Sequence, residues 1–235
     1  MNNKVNHIPD GVEINWHGQN SCIEFGENCR FNGLYLDIYS NVKIKFEQGV
    51  EVRKPCNIQM LDDSEISVGE YVCFGMDGIE IFVGERSTIN IGKKTHFNKN
   101  SLLLLSNNTE LSIGEYSLFS RNVTIRTDDG HPIFDVETGE RINSKGKRKV
   151  VVGDHVWLGQ DVMLLYGADI GTGSIVGARS LIKGKFPNNC VIVGIANDAK
   201  VIRENVAWIR DDRGKGIDAV PVDYKQKTNW NDYIF

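Results

Sequence analysis

A repeat of about 22 residues constrains this chain more than any other feature. CIEFGENCRF, VKIKFEQGVEV, EISVGEYVCF, TINIGKKTHF and ELSIGEYSLF each carry two apolar residues two apart, usually followed by Gly, with another apolar residue six positions after the second. The second apolar residues are Phe25, Phe46, Val68, Ile91 and Ile113, spaced by 21, 22, 23 and 22 residues. Ile23, Ile44, Ile66, Ile89 and Leu111 precede them by two; Phe31, Val52, Phe74, Phe97 and Phe119 follow them by six. Positions two apart share one face of a strand. Like residues at like places in successive repeats predict stacked strands, ~4.8 Å apart. Three ladders of buried side chains, each side chain contributing roughly 1.5–3 kcal/mol, then supply a core without helices.

Past residue 150 the period tightens to six. Val152, Leu158, Leu164, Ile170, Val176 and Ile182 are evenly spaced, and Gly follows directly at 153, 159, 171 and 177. Four residues after each come Val156, Val162, Ala168, Ser174, Ser180 and Phe186, mostly small, as a crowded corner requires. Sides of six residues that turn at a corner predict a triangular coil of 18, so the earlier coils are 18 plus a few inserted residues. An ordinary β-sandwich would alternate without a fixed six-residue step.

The ends differ from this pattern. Residues 1–19 lack the repeat and are expected to form an N-terminal cap; 20–200 is the expected repeat domain, and 201–235 the C-terminal part. AKVIRENVAWIRDD predicts a short helix with Ile202, Val206 and Ile209 on one face, laid over the open edge of the last coil. The aromatic tail that follows is expected to pack on a neighbour.

Composition narrows the class. The net charge of −4 argues against a dedicated nucleic-acid binder. No apolar run approaches the ~20 residues of a transmembrane segment. MNNKVNHIPDG has no apolar signal core, and five cysteines without a CxxC pair fit reduced thiols. The expected location is the cytoplasm.

Between Ile125 and Val152 the rhythm is lost, and a loop over 126–149 interrupts the repeat. An excursion of this length inside a regular repeat is usually functional. It contains His131, and the next regular side carries Trp157. Acyl transfer from a thioester to a hydroxyl needs a base of near-neutral pKa, which histidine supplies, and a donor for the oxyanion, either a backbone or an indole N–H. No Ser-His-Asp spacing is visible and no cysteine sits in a nucleophile-like context, so direct attack is favoured over a covalent intermediate.

The hexad pattern over roughly residues 20–200 resembles the hexapeptide-repeat family, which implies an all-β, left-handed parallel β-helix. DGHPI, then TGERIN, then VVVGDHVWLGQDV are similar to the bacterial polysaccharide O-acetyltransferases of that family, nearest to those that modify capsular sialic acid. The resemblance implies acetyl-CoA as co-substrate, His131 as catalytic base and Trp157 against the thioester end. It places Asp129 where it orients the loop or the imidazole, beside the acceptor. It further implies a homotrimer with CoA between subunits, near Trp157, Gly177, Ala178, Lys183 and Lys200. The family's closing GxPAK element is here GIANDAK, longer by two residues and without proline, which leaves the placement of Lys200 open.

Arg141 in TGERIN is a candidate clamp for an acceptor carboxylate. The run SKGKRK at 144–149 is either a solvated tip or an attractor of anions. His155 and His96 sit beside inward residues and read as surface or structural positions. The implied acceptor is a hydroxyl of a bacterial surface glycan; the alternative is a small molecule, xenobiotic or nucleotide sugar, on the same fold. A zinc hydratase would need three converging histidines, and those at 7, 17, 96, 131 and 155 show no close pair. No metal is expected. A non-catalytic scaffold would leave the long loop without a purpose.

Overall fold

The chain coils into three parallel sheets that form the faces of a triangular solenoid, each sheet nine strands deep. A computed structural model describes residues 2–76, 78–143, 148–210 and 216–225. Each full coil contributes one strand to each face in turn. In one coil these are Cys22–Phe25 on the first face, Arg30–Phe31 on the second and Leu34–Ile38 on the third.

The columns read from the sequence are the register. On the first face Phe25, Phe46, Val68, Ile91, Ile113, Val152, Ile170 and Phe186 stack in one line. On the second face the line is Phe31, Val52, Phe74, Phe97, Phe119, Leu158, Val176 and Ile192. All of these are buried; the rings of Phe74 and Phe97 stack at 5.1 Å, and that of Phe119 lies tilted against Phe97 at 4.5 Å. The extra residues of the early coils lie on the first and third faces. Third-face strands shorten from five residues in Cys56–Met60 to two in Met163–Leu164, whereas the second face holds two residues per coil from Arg30–Phe31 to Ile175–Val176.

Corners need a left-handed residue, and the chain supplies one in column after column. At the corner between first and second faces Asn28, Tyr71, Lys94, Tyr116, His155 and Asn189 all have φ between 53° and 58°. Between second and third faces Asn100, Asn122, Asp161 and Arg179 have φ between 54° and 60°. Asn and Asp tolerate this conformation best, and the others are carried by the stack of hydrogen bonds around them. His155 N–H, for example, donates to Glu115 O at 2.7 Å, and Lys94 N–H to Glu70 O at 2.8 Å.

Two expectations about the ends need correction. The sheets begin inside the segment expected to be a cap: Lys4–Val5 pairs with Cys22–Phe25, and Val12–Trp16 with Leu34–Ile38. These strands are too short or too polar to show the repeat. At the other end the helix expected over 199–212 is absent from the described residues. Lys200–Arg203 is a strand, antiparallel to Val191–Val193. The open backbone of the last second-face strand is satisfied by this returning strand, and Asn205, at φ 54°, then turns the chain away from any helical path. Beyond it, among the described residues, the chain forms two short 3₁₀ turns, Gly216–Ala219 and Val222–Tyr224.

Truncating the centre of the phenylalanine stack tests the load on the column. Phe97→Ala should cost about 3–5 kcal/mol, read as a lowered denaturation midpoint; a change under about 1 kcal/mol would show that the column relaxes around the cavity.

Candidate functional site

The excursion leaves the solenoid between the third-face strand Thr124–Arg126 and the first-face strand Arg148–Val152. Thr127 is its buried anchor: its Oγ1 donates to Thr109 Oγ1 at 2.8 Å and accepts from Ser106 N–H at 3.2 Å. The opposite end is Arg148, also buried. Its Nη1 lies 3.0 Å from Asp128 Oδ1 and 3.4 Å from Asp129 Oδ2, so one guanidinium ties departure to return. Arg148 lies over the Tyr166 ring at 4.0 Å, and Lys183 approaches the same ring at 4.3 Å while donating to its hydroxyl at 3.1 Å.

Between these anchors the loop is a small hairpin. Phe134 and Arg141 pair antiparallel, Ile142 N–H donates to Ile133 O, and Asp135 N–H to Glu140 O. Asp135 closes the tip by accepting from Glu137 and Thr138 N–H at 2.9 and 2.7 Å, and the Thr138 bond most of all holds its carboxyl below the usual range. His131 stands at the hairpin's base, exposed, and its imidazole makes no hydrogen bond among the described residues.

Asn143, almost fully buried, organises that base, and it was not singled out from the sequence. Its Nδ2 donates to His131 O at 2.7 Å and to Asp129 Oδ2 at 3.1 Å. Its Oδ1 accepts from Ile133 N–H at 2.8 Å and Arg141 Nε at 3.0 Å. Asp129 therefore turns its carboxylate to the loop root, towards Asn143 and Arg148. Arg141, expected as a free clamp, uses Nε to hold Asn143, while it also lines a cavity with Asp128, Gly130, Pro132 and Phe82. Of the basic run at 144–149, residues 144–147 lie outside the described residues.

Trp157 occupies the outward position on the second face, in Trp157–Leu158. It is 37% exposed, and its Nε1 donates to Ser120 Oγ at 3.0 Å. Beside it runs a cavity of about 440 Å³ lined by Asn98, Ser120, Gly159, Gly177 and Ala178, within the range of small-molecule pockets. The backbone is close-packed there: a Cβ on Gly159 would lie 2.7 Å from Ala178 N, and one on Gly177 2.6 Å from Val193 Cγ1. Trp157, Gly177 and Ala178 are thus brought together. Lys200 pairs with Val193 one rung beyond Gly177, whereas Lys183 stands with Tyr166 at the loop root. The cavity of Trp157 and that of the histidine loop share no residue. The edge carrying the loop is opposite the second face of the triangular coil.

The tail covers part of the second face. Trp208 stacks on His155 at 4.3 Å and 8° and lies 5.9 Å from Trp157; Tyr224 covers the other side of the His155 ring at 4.5 Å. His155 Nε2 donates to Trp208 O at 2.9 Å, and Trp208 Nε1 donates back to His155 O at 2.7 Å. His155, expected to point outward as a surface or interface residue, does so and is covered by the tail; the local pattern around Val156 carries no trace of a segment 53 positions away. Burial lowers its pKa, against the opposing contacts with Trp208 and Tyr116 backbone. His96 is held down to about 4, by burial first and then by Arg210 and Arg53. Among the described residues no group of three His, Cys, Asp or Glu is placed to hold a metal ion.

No protein-family model matches the chain. Its relatives include a polysialic acid O-acetyltransferase from Neisseria meningitidis, 28% identical over 214 residues, 89% of this chain and 87% of that one. A polysialic acid O-acetyltransferase from Escherichia coli O1:K1 is 27% identical over 138 residues, 59% of this chain but 41% of that one. A putative lipopolysaccharide biosynthesis O-acetyl transferase from Escherichia coli K12 is 30% identical over 189 residues, 75% of this chain and 89% of that one. Among solved structures, the polysialic-acid-specific acetyltransferase NeuO superposes with a TM-score of 0.77 at 25% identity, covering 88% of this chain and 93% of that one.

The buried neutral histidines make the tail clamp sensitive to acid. Both native pKa values lie below the unfolded value of about 6.5, so the unfolded chain binds more protons and stability falls as pH drops below it. Melting temperature and tryptophan fluorescence should be constant above pH 7 and decline towards pH 5. His155→Asn, which keeps a residue tolerant of positive φ, should flatten the fluorescence change; an unaltered pH profile in that variant would remove His155 from the cause.

Proposed function

The chain belongs to the hexapeptide-repeat acetyltransferases, and from that premise we propose that it carries an acetyl group from acetyl-CoA to a hydroxyl of a bacterial surface glycan, with His131 as general base. The pantetheine arm lies in the cavity beside Trp157, along Gly159, Gly177 and Ala178, whose lack of bulk lets it approach the backbone. Lys200, further along the same column, meets the phosphates. Five free cysteines and the absence of any helix among the described residues long and apolar enough to cross a membrane fit a cytoplasmic enzyme acting on the glycan or its precursor.

In the reaction the imidazole of His131 takes the acceptor hydroxyl proton as the oxygen attacks the thioester carbonyl carbon. The tetrahedral oxyanion is met by a backbone N–H, since the Trp157 indole N–H is already given to Ser120. Collapse breaks the C–S bond, and the proton passes from the imidazolium to the departing thiolate. Asn143 sets where His131 stands, because its amide holds the histidine's own carbonyl.

The observation that carries this reading is the opposition of the two halves. Loop and groove lie on opposite sides of one coil and share no lining residue. A homotrimer resolves this: the loop edge of one subunit faces the Trp157 groove of the next, and Lys183, at the loop root, reaches the neighbour's CoA.

His131→Ala should lower kcat by about 10²–10⁴ while sedimentation and circular dichroism stay those of the wild type; near-wild-type turnover would remove the base from this position. The shared site has its own test. Trimers mixed from His131→Ala and Trp157→Ala subunits should regain activity that neither variant shows alone, and no recovery on mixing would mean that loop and groove act within one chain.

A further inference from the structure

We propose that Trp208 is a positioning residue for the groove: carried in by the tail, it backs the Trp157 indole and fixes it where the pantetheine arm of acetyl-CoA binds. The proposal rests on the acetyl-CoA reading of that groove and adds to it a residue from a segment outside the repeat. Trp208 does not itself line the groove cavity, so its action runs through Trp157.

The surroundings of Trp157 leave one side for such a support. Leu118 and Ile175 flank it on the adjacent rungs. Towards the corner with the third face its Nε1 donates to Ser120 Oγ at 3.0 Å. On that side the cavity opens along Gly159, Gly177 and Ala178, which present no bulk against the ring. Towards the opposite corner, with the first face, stands Trp208. Its ring centre lies 5.9 Å from that of Trp157, and the two planes are inclined at 44°. Aromatic pairs attract at this separation when their rings are not squarely face to face. The indole is therefore held at its polar edge by Ser120 and backed on its other side by a second indole.

A support has to be firmer than what it supports, and Trp208 is. Trp157 is 37% exposed, whereas Trp208 is buried, stacks on His155 and exchanges two hydrogen bonds with it. Just before it the tail is gripped by the buried Asn189. Its Nδ2 donates to Val206 O at 3.0 Å and to Tyr224 O at 2.7 Å, and Val206 N–H donates to Asn189 O at 2.8 Å. The choice of histidine at residue 155 fits the same purpose. The turn itself asks only for a positive φ, which Asn28 and Asn189 supply at the same corner of other coils. An imidazole in that place adds a flat plate, and Trp208 lies on it.

The chain has four tryptophans, so labelling with 5-fluorotryptophan gives each its own fluorine resonance, and Trp157→Phe identifies that of Trp157. Trp208→Ala should move the Trp157 resonance towards its solvent-exposed position and raise the calorimetric Kd for CoA about tenfold. It should raise KM for acetyl-CoA with kcat unchanged, the pattern of binding lost equally from ground and transition states. Trp208→Phe, which keeps a ring beside Trp157, should restore most of both. A Trp208→Ala protein that melts lower but keeps the wild-type resonance and Kd would overturn the proposal, by assigning Trp208 to tail packing alone. Should Trp208→Ala fail to fold, His155→Asn removes the plate and leaves Trp208 in the chain; an unmoved Trp157 resonance in that variant overturns the proposal as well. A wild type that binds no CoA, but whose Trp157 resonance moves on substitution of Trp208, leaves the positioning standing and removes the acetyl-CoA reading.

Discussion

Everything in this molecule depends on coil-to-coil register. A parallel strand that slipped by one residue would turn its buried side chains outward, and here the same columns are kept from the first coils to the last. The second face enforces it most strictly, with two residues per coil and rings in contact from Phe74 to Phe119. Because that face does not change length, the outward residues above it also form straight columns. The groove beside Trp157 is a product of that straightness. On the third face, where strand length varies from five residues to two, no such continuous rail is available.

Regularity also explains how the loop is tolerated. Ile113 and Val152 are partners on adjacent rungs although the chain between them is far longer than one coil. The excursion leaves and returns without shifting register, since Thr127 is tied into the coil before it and Arg148 grips Asp128 and Asp129. An exposed histidine on an untethered loop would sample many positions. Asn143 removes that freedom at His131 by binding its carbonyl, and so connects a buried amide to a solvent-facing imidazole. Arg141 serves this same base through its Nε.

Much of this was legible in the sequence, and the division is physical. The core columns, the hexad corners and the position of the loop follow from periodicity, which is a local signal repeated many times. Trp157, Gly177 and Ala178 were grouped by the family resemblance, and adjacent rungs of the second face bring them to one cavity. Asn143 was missed, and Arg148 was read only as part of a basic tip, because their partners are set by how the loop folds back, and nothing periodic marks them. Lys183 illustrates the limit from the other side: it was grouped with Gly177 by resemblance, yet its rung puts it beside Tyr166 on the loop edge.

The tail shows why the ends of a solenoid resist such reading. AKVIRENVAWIRDD has helical spacing at Ile202, Val206 and Ile209, but the last coil offers an unpaired strand edge, and a strand satisfies it better than a helix laid across it. Once Lys200–Arg203 has reversed the chain, the next residues are directed back along the coils, where His155 waits at a corner with its ring turned outward. Trp208 and Tyr224 enclose that ring from both sides. A corner residue needed only for its positive φ thereby fastens the segment that ends in Arg210. The packing beside Trp157 is set by one contact, between residues that neither repeat nor motif would join.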